Sequence, residues 1–280
     1  MTGWLIYRTK DIERNKRFIM WMLEAANMYE LPLDLVPYES IEAAVTEHDC
    51  FYSPEASGAP SFIINRSCTP WLNEAAELSN IPVFNHSGVA RIANDKRLSH
   101  AFMSRLGVPM LPSKALTKDR LVEVGSNSYP FIVKDPTGRG GTGVEWIESM
   151  RHLHRTSDRL HDELLWQPVG GKPGKDLRVY IVGGQIIAGI LRESETSFRA
   201  NVSLGGQARL YELNEEEKVL INKITASLPL DFVGLDFLIK EDGGLLFNEM
   251  EDAVGCRSLY MNSDIDVISI FMRHVAEELS

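Results

Sequence analysis

Residues 134–143 read KDPTGRGGTG, and this glycine-rich segment decides the interpretation of the fold. The apolar run FIVK precedes it at 131–134 and VEWI follows it at 144–147, which predicts two antiparallel strands joined by a loop. Closely spaced glycines let a backbone approach a phosphate and point its N–H groups at it. We therefore predict a phosphate-binding loop. A flexible hairpin turn without a ligand is the alternative.

This glycine segment differs from two common nucleotide-binding motifs. No Gly-Lys-Ser or Gly-Lys-Thr ends it, as a Walker loop requires. It joins two predicted strands and opens no helix, whereas a dinucleotide-binding fingerprint leads into one. Its assignment therefore depends on other parts of the chain.

A predicted hairpin near the C-terminus brings three carboxylates together. Glu249 and Glu251 lie two positions apart on one strand, so their side chains leave the same face. The Asp242-Gly243-Gly244 turn folds Asp236 back beside them. Crowded carboxylates repel one another unless a cation lies among them, and oxygen ligands without His or Cys suit Mg²⁺ or Mn²⁺. We predict a metal site here. A solvated acidic edge strand is the alternative.

A basic group lies between the glycine segment and the acidic hairpin. Arg178 and Arg192 lie on neighbouring predicted strands, and Arg199 follows in a loop with Asn201 beside it. Guanidinium forks match the oxygens of phosphate and carboxylate groups. Taken singly, each arginine would be a surface residue paired to a carboxylate. Together with the other two motifs, they predict a site for a metal–nucleotide complex.

The order of these motifs resembles the ATP-grasp superfamily, most closely its RimK-like amino-acid ligase branch, from about Asn94 to the C-terminus. The resemblance implies that Lys96, at the start of a helix, reaches the nucleotide phosphates. It implies that Lys134 lies near the adenine and the α-phosphate. The glycine segment would be a lid over the phosphates, with binding residues Gly138, Gly140, Gly141 and Gly143.

Two further segments match nucleotide-binding motifs of that family. Residues 164–169, LLWQPV, fall where the family has its adenine hinge, which works through a backbone carbonyl and an N–H two residues later. Asp176-Leu177-Arg178 matches the family's Asp-Ile-Arg. The resemblance therefore adds four nucleotide-binding residues, Gln167, Pro168, Val169 and Asp176.

The last motifs concern catalysis and the metal. Arg199-Ala200-Asn201 matches the family's Arg-Ser-Asn, which implies that Arg199 contacts the nucleotide phosphate and that Asn201 lies close to the metal and the substrate. With Lys134, these two residues form the predicted catalytic group. Glu249 fits the family's Glu-x-Asn and Asp236 its upstream Asp, but Glu251 replaces the Asn metal ligand. The site thereby gains a negative charge and a longer side chain.

The chain as a whole predicts an α/β fold with α+β lobes. Strand and helix signals alternate over the first ~90 residues, which indicates a parallel α/β layer, and hairpins dominate later. The resemblance implies an ATP-grasp fold preceded by a Rossmann-like pre-ATP-grasp domain. We predict one continuous helix over 91–106. The predicted domains are the N-terminal layer at 1–93, a middle lobe at 94–165 and a C-terminal lobe with the metal site at 166–280.

Composition excludes several classes of function. The 280 residues carry a net charge of −10, which argues against a nucleic-acid partner, and the apolar runs are too short to cross a membrane. No signal peptide is visible, and the three separated cysteines form no disulfide framework, so we predict a cytoplasmic protein. The histidines show no metal-binding spacing, and we interpret them as surface residues.

Residues and resemblance together predict an ADP-forming ligase that uses ATP and Mg²⁺, or Mn²⁺, to join a carboxylate to an amine through an acyl phosphate. The predicted partners are a small-molecule or peptide carboxylate and an amine acceptor, and a homo-oligomer is left open. Candidate anchors for an acidic substrate are Arg66, Arg178, Arg192 and Arg257. Two alternatives stay open: an ATP-grasp kinase, and an ATP-binding protein with little turnover. The sequence does not identify the acid or the amine.

Overall fold

The N-terminal part of the chain forms a parallel α/β layer. The protein is described by a computed structural model that covers residues 1–43, 51–125, 129–141, 143–194 and 207–280. The layer contains β1 (Gly3–Tyr7), α1 (Thr9–Met28), β2 (Leu33–Pro37), β3 (Glu42–Ala43), β4 (Phe51–Tyr52), β5 (Ile63–Asn65), α2 (Pro70–Leu78) and β6 (Val83–Phe84). Four strands pair in parallel in the order β2-β1-β5-β6, while β3 and β4 form a separate antiparallel pair. The predicted parallel layer is confirmed.

Two helices lead out of this layer, α3 (Ser87–Asn94) and α4 (Lys96–Arg105). The prediction of one continuous helix here is wrong. Asp95 has extended backbone angles of φ −137° and ψ 111°, and its side chain caps α4 by accepting a hydrogen bond from the N–H of Arg97. An aspartate favours such a cap over a helix interior, and the break places Lys96 at the start of a new helix.

The middle of the chain forms a four-stranded antiparallel sheet. Its elements are β7 (Lys114–Thr117), α5 (Lys118–Gly125), β8 (Phe131–Lys134), β9 (Val144–Ile147), α6 (Met150–Thr156) and β10 (Glu163–Pro168). The strand order is β7-β10-β8-β9, and β8 and β9 flank the glycine segment as predicted. Since β10 runs on to Pro168, the middle sheet extends past residue 165, and the predicted domain limits stay a prediction.

The rest of the chain builds a larger antiparallel sheet. Its elements are β11 (Lys175–Val182), β12 (Gln185–Glu193), β13 (Gln207–Tyr211), α7 (Glu215–Thr225), β14 (Phe232–Ile239), β15 (Leu245–Glu251), α8 (Arg257–Asn262) and α9 (Val267–Glu278). The strand order is β13-β12-β11-β14-β15. The β14–β15 hairpin, predicted from its Asp-Gly-Gly turn, is confirmed.

Apolar residues cover both faces of the large sheet. Tyr180 and Val182 of β11 face a core shared with α1 and α9, while Val179 and Ile181 face a core shared with α3, α4 and α7. This alternation follows from the two-residue period of a strand. By the same period, Arg178 of β11 belongs to the face of Tyr180. The N-terminal layer therefore packs on the face that carries the charged residues.

Of the helices in the described ranges, none combines the length and the apolar composition that crossing a bilayer requires.

Candidate active site

A cleft opens between the middle sheet and the large sheet. Part of its wall is apolar and comes from Leu111, Ile132, Val144, Trp146 and Leu238. The predicted site residues that line it are Lys96, Lys134, Gly138, Gly141, Gln167, Pro168, Val169, Asp176 and Glu249. Residues from both predicted lobes therefore share one cleft.

Lys96 connects two parts of this cleft. It is the first residue of α4 and is buried. Its Nζ donates a hydrogen bond to the carbonyl oxygen of Gly138 in the glycine segment and lies 3.4 Å from Oε2 of Glu249. The ammonium group thus lies between the glycine segment and the acidic hairpin.

Lys134, the last residue of β8, is only 8% exposed. Its Nζ donates a hydrogen bond to Oδ1 of Asn248 at 2.8 Å. Burial lowers the pKa of Lys134 to about 8, because the charged form is poorly solvated and the negative charge of Glu249 offsets this only in part. A buried cation in a cleft wall is typical of a site that receives an anion.

The glycine segment makes a tight turn that requires glycine at particular positions. Gly140, Gly141 and Gly143 have φ values of 59°, 78° and 71°, in the left-handed region. At Gly143 an added Cβ would lie 2.7 Å from the Cβ of Asp135, whose N–H donates to the Gly143 carbonyl at 2.7 Å. Gly138 and Gly141 line the cleft, and Gly140 and Gly143 shape the turn.

Arg139 fastens the glycine segment to the other parts of the molecule. Its Nη2 donates to the carbonyl oxygen of Cys68, at 3.1 Å, and to Oδ1 of Asn94. The Asn94 amide donates in turn to Oδ2 of Asp252 at 2.7 Å. Asp252 directly follows the acidic hairpin. The glycine segment is therefore linked to the N-terminal layer and to that hairpin.

The predicted adenine hinge lies at the end of β10. Gln167 pairs with Ile132, and Pro168 pairs with Phe131. The strand ends at Pro168, and Val169 lines the cleft beyond it. Proline lacks an N–H but keeps its carbonyl, and Val169 retains both groups. The predicted hinge therefore keeps the Val169 N–H that its contact with an adenine edge requires.

The three predicted metal ligands converge on the β14–β15 hairpin, and Glu249 among them also lines the cleft. Asp236 pairs with Glu249 across β14 and β15, and one oxygen from each of Asp236, Glu249 and Glu251 lies within 4.8 Å of the others. Asp236 is buried, and both glutamates are partly exposed. Carboxylate oxygens at this spacing are the ligands that Mg²⁺ and Mn²⁺ prefer, so the donor set fits a divalent metal.

Arg178 and Arg192 both contact Asp236. Arg178 donates from Nε and Nη2 to the two oxygens of Asp236, at 2.7 Å each, and its Nη2 lies 2.8 Å from Oε1 of Glu251. Arg192 donates from Nη2 to Oδ2 of Asp236 at 2.8 Å and from Nε to Oδ1 of Asp176 at 2.5 Å. These predicted substrate anchors are thus engaged by carboxylates of the protein.

This pairing fixes the ionisation of Asp236. Burial alone would raise the pKa of the Asp236 carboxyl. The positive charges of Arg178 and Arg192 outweigh burial and hold the pKa well below its usual range. Asp236 is therefore a carboxylate at neutral pH.

The other two predicted substrate anchors have different surroundings. Arg66 is buried: its Nε donates to the Tyr7 hydroxyl at 2.6 Å and its Nη2 to the Val254 carbonyl at 2.8 Å. Its guanidinium carbon lies 4.6 Å from the centre of the Phe18 ring. Arg257 begins α8 and is exposed. Arg66 is thus fixed beside the loop that follows the acidic hairpin, whereas Arg257 faces solvent.

Arg199 and Asn201 lie in the stretch 195–206, outside the described residues. Their catalytic roles stay predictions.

The interpretation of the histidines as surface residues is wrong for His100, which is 3% exposed. Its Nε2 lies 3.0 Å from the carbonyl oxygen of Asn248, and its Nδ1 lies 2.9 Å from Oγ of Ser113. Burial lowers the pKa of His100 to about 4, so the ring is neutral at neutral pH. Sequence reasoning missed His100 and Asn248 because their contact depends on the packing of α4 against β15.

Comparison with known proteins identifies the family. Residues 93–275 match the RimK-like ATP-grasp domain. The uncharacterized protein MG011 of Mycoplasma genitalium is 26% identical over 97% of this chain and 91% of its own length. A probable alpha-L-glutamate ligase of Haemophilus ducreyi is 27% identical over 70% of this chain, which spans 66% of that relative's length.

A solved structure shows the same fold over the whole chain. The ATP-grasp ligase PsnB, complexed with a phosphomimetic variant of its minimal precursor, Mg and ADP, matches with a TM-score of 0.70. The match covers 100% of this chain and 99% of PsnB at 14% identity, which establishes the fold. The family match covers well over half of the chain, including the glycine segment and the acidic hairpin. The chain therefore belongs to the RimK-like ATP-grasp family of ligases.

Proposed function

We propose that the protein forms an amide or peptide bond between a carboxylate and an amine, with ATP converted to ADP. A carboxylate oxygen attacks the γ-phosphorus of ATP, the bond to the ADP oxygen breaks, and an acyl phosphate forms. The amine nitrogen then attacks the acyl carbon, the bond to the phosphate oxygen breaks, and the amine releases a proton. Phosphate and the amide are the products.

One observation carries this proposal: a single cleft joins a backbone hinge, two buried lysines and Glu249, which belongs to the carboxylate triad. The hinge at 167–169 lines the cleft, and a base would bind there. Lys96 and Lys134 lie between the hinge and the acidic hairpin, where phosphates would bind. Catalysis by such a site rests mainly on positioning and on neutralising charge.

Asp236, Glu249 and Glu251 would hold the metal. Mg²⁺ would neutralise phosphate charge there, and Mn²⁺ would suit the same oxygen ligands. Residues of the protein bind and position the reacting groups. Lys96 and Lys134 attract phosphate oxygens, the glycine segment covers them and limits water, and Arg199 and Asn201 are proposed to contact the reacting groups.

The substrate pair is proposed from relatives. One relative is named as a probable alpha-L-glutamate ligase, so glutamate is the first amine or acid to test. The PsnB complex contains a precursor, so peptide carboxylates form the second group. The cytoplasmic location and the absence of a nucleic-acid partner stay predictions, as does a homo-oligomer.

Trapping with hydroxylamine tests the proposal. An ADP-release screen over pairs of carboxylates and amines first identifies the acid. That acid, ATP, Mg²⁺ and hydroxylamine, without the amine, should then give a hydroxamate and an equal amount of ADP, because an acyl phosphate is an electrophile. Glu249→Gln should lose both products together, while exposed Lys218→Met, whose ammonium group pairs with Glu215, should keep both.

Other outcomes would replace the proposal. ADP release with a stable phosphorylated product, and no amide with any amine, would identify a kinase. ATP binding without ADP release for any pair would identify a binding protein.

A further inference from the structure

Five charged side chains form a chain of alternating sign across the large sheet. In order they are Asp176, Arg192, Asp236, Arg178 and Glu251, and each neighbouring pair is joined by a contact of 2.5–2.8 Å. Four of the five side chains are no more than 13% exposed, and that of Glu251 is 24% exposed. This chain therefore lies largely out of water and runs into the predicted metal site.

The carboxylate triad already holds a cation of the protein. Carboxylates as close as those of Asp236, Glu249 and Glu251 repel one another unless positive charge lies among them. Arg178 supplies that charge to Asp236 and Glu251, since its guanidinium group contacts both, while Lys96 lies beside Glu249. A planar fork can bridge two carboxylates in this way, whereas the ammonium group of a lysine is a single point of charge.

A divalent metal and Arg178 would use the same oxygens. Arg178 and Arg192 place three hydrogen bonds on Asp236, and Arg178 also contacts Oε1 of Glu251. An ionised carboxyl group offers about four lone-pair positions, so Asp236 has little capacity left for a further ligand bond. Glu251 is more exposed and is held by Arg178 alone among these arginines.

We propose that Arg178 is the internal counter-cation of the metal site and that a divalent metal displaces it from Glu251. This inference rests on the proposed function, because it takes the triad as the metal site of that reaction. It accounts for the glutamate at position 251, where the resembled family has asparagine: Arg178 balances the additional negative charge. Metal binding then frees one edge of the Arg178 guanidinium group.

Metal binding and thermal unfolding of nucleotide-free protein test the proposal. The variants are Arg178→Gln and Arg178→Lys, measured in EDTA and with Mg²⁺, and titrated with Mn²⁺ by calorimetry. Without its counter-cation the triad should depend on the metal. Arg178→Gln should therefore lose Tm in EDTA, regain most of it with Mg²⁺, and bind Mn²⁺ about tenfold or more tightly than the wild type, as expected for removing one charged competitor.

Arg192→Gln is the matched control. Arg192 is equally buried and contacts Asp236, but its other partner is Asp176 and not Glu251. Its variant should lose a similar Tm in EDTA and in Mg²⁺. If Arg178→Gln folds only with metal, the proposal is supported. If it folds in neither condition, Arg178→Lys decides, because its Tm gain with Mg²⁺ should exceed that of the wild type.

An unchanged or weaker Mn²⁺ affinity in both Arg178 variants, with no added Tm gain from Mg²⁺, would overturn the proposal. These measurements contain neither ATP nor substrate, so they are independent of the hydroxamate assay. Tighter metal binding without any ligase product would leave the proposal standing and remove the proposed function. Ligase product with unchanged metal binding would support the proposed function and overturn the proposal about Arg178.

Discussion

Replacing Lys134 with methionine should weaken ligand binding without lowering the stability of the fold. The side chain is buried, and burial lowers its pKa from 10.5 to about 8. A tenfold change in proton affinity corresponds to about 1.4 kcal/mol, so the fold disfavours this ammonium group by about 3 kcal/mol relative to water. Methionine has a similar shape and no charge. It leaves the Asn248 oxygen without its donor, at a cost of about 1–3 kcal/mol.

The two terms nearly balance, so the free energy of unfolding of Lys134→Met should equal that of the wild type or exceed it by up to about 2 kcal/mol. Binding of ATP with Mg²⁺ should weaken about tenfold or more, because a charged hydrogen bond to phosphate contributes about 1.5–3 kcal/mol. Urea denaturation and calorimetric titration measure the two effects. Lys218→Met is the control, since Lys218 is exposed and pairs with Glu215.

The same lysine predicts a dependence on pH. Between pH 8 and 10.5 the unfolded chain holds this proton and the folded protein has released it, so the free energy of unfolding of the wild type should rise with pH in this window. Burial of the charged Lys134 side chain destabilises the folded protein fully below the folded pKa. This destabilisation disappears as the pH rises through the window. Lys134→Met should lack this rise. A lower stability together with an unchanged affinity for ATP would refute the reasoning.

Three further measurements address other parts of the molecule. Glu249→Gln should abolish metal-dependent ADP release, while Glu251→Asn should keep substantial activity because asparagine still supplies an oxygen; equal loss in both would give the carboxylate at 251 a role of its own. Amide exchange over residues 136–141 should slow when a non-hydrolysable ATP analogue is added, and unchanged exchange would argue against a lid. The hydrogen bond to Asp231 raises the pKa of His274 above 6.5, so the pair stabilises the fold at low pH and this stabilisation disappears as pH rises through the raised value. His274→Gln should therefore lower Tm more at about pH 6 than at about pH 9, and equal losses would contradict the assignment.

Local patterns predicted the elements that carry most of the cleft. The hairpin of Asp236 and Glu249 follows from strand alternation and a turn signal. Each of these signals spans only a few neighbouring residues. The glycine segment between β8 and β9 was likewise visible from its own residues. Such features need no knowledge of how distant segments pack.

Long-range packing explains what the sequence did not predict. The contacts of Arg178 and Arg192 with Asp236 depend on the order of three strands in the sheet. The contacts of Arg139 with the N-terminal layer, and of His100 with β15, join segments far apart in sequence. No local spacing distinguishes these side chains from exposed ones, so only the tertiary structure shows their partners.

The alternating charges have a consequence for how the sheet finds its alignment. Arg178 lies directly opposite Asp236, and Asp176 lies directly opposite Arg192. Sliding β14 by two residues against β11 in one direction would place Asp176 opposite Asp236. A similar slide of β12 would place Arg178 opposite Arg192. Sliding either strand the other way would set these charges against partly buried Leu238 or against buried Tyr180 and Ile190. Every such misalignment keeps the apolar faces matched but brings like charges together or buries a charge without a partner. The charges therefore exclude strand alignments that the apolar pattern alone would permit.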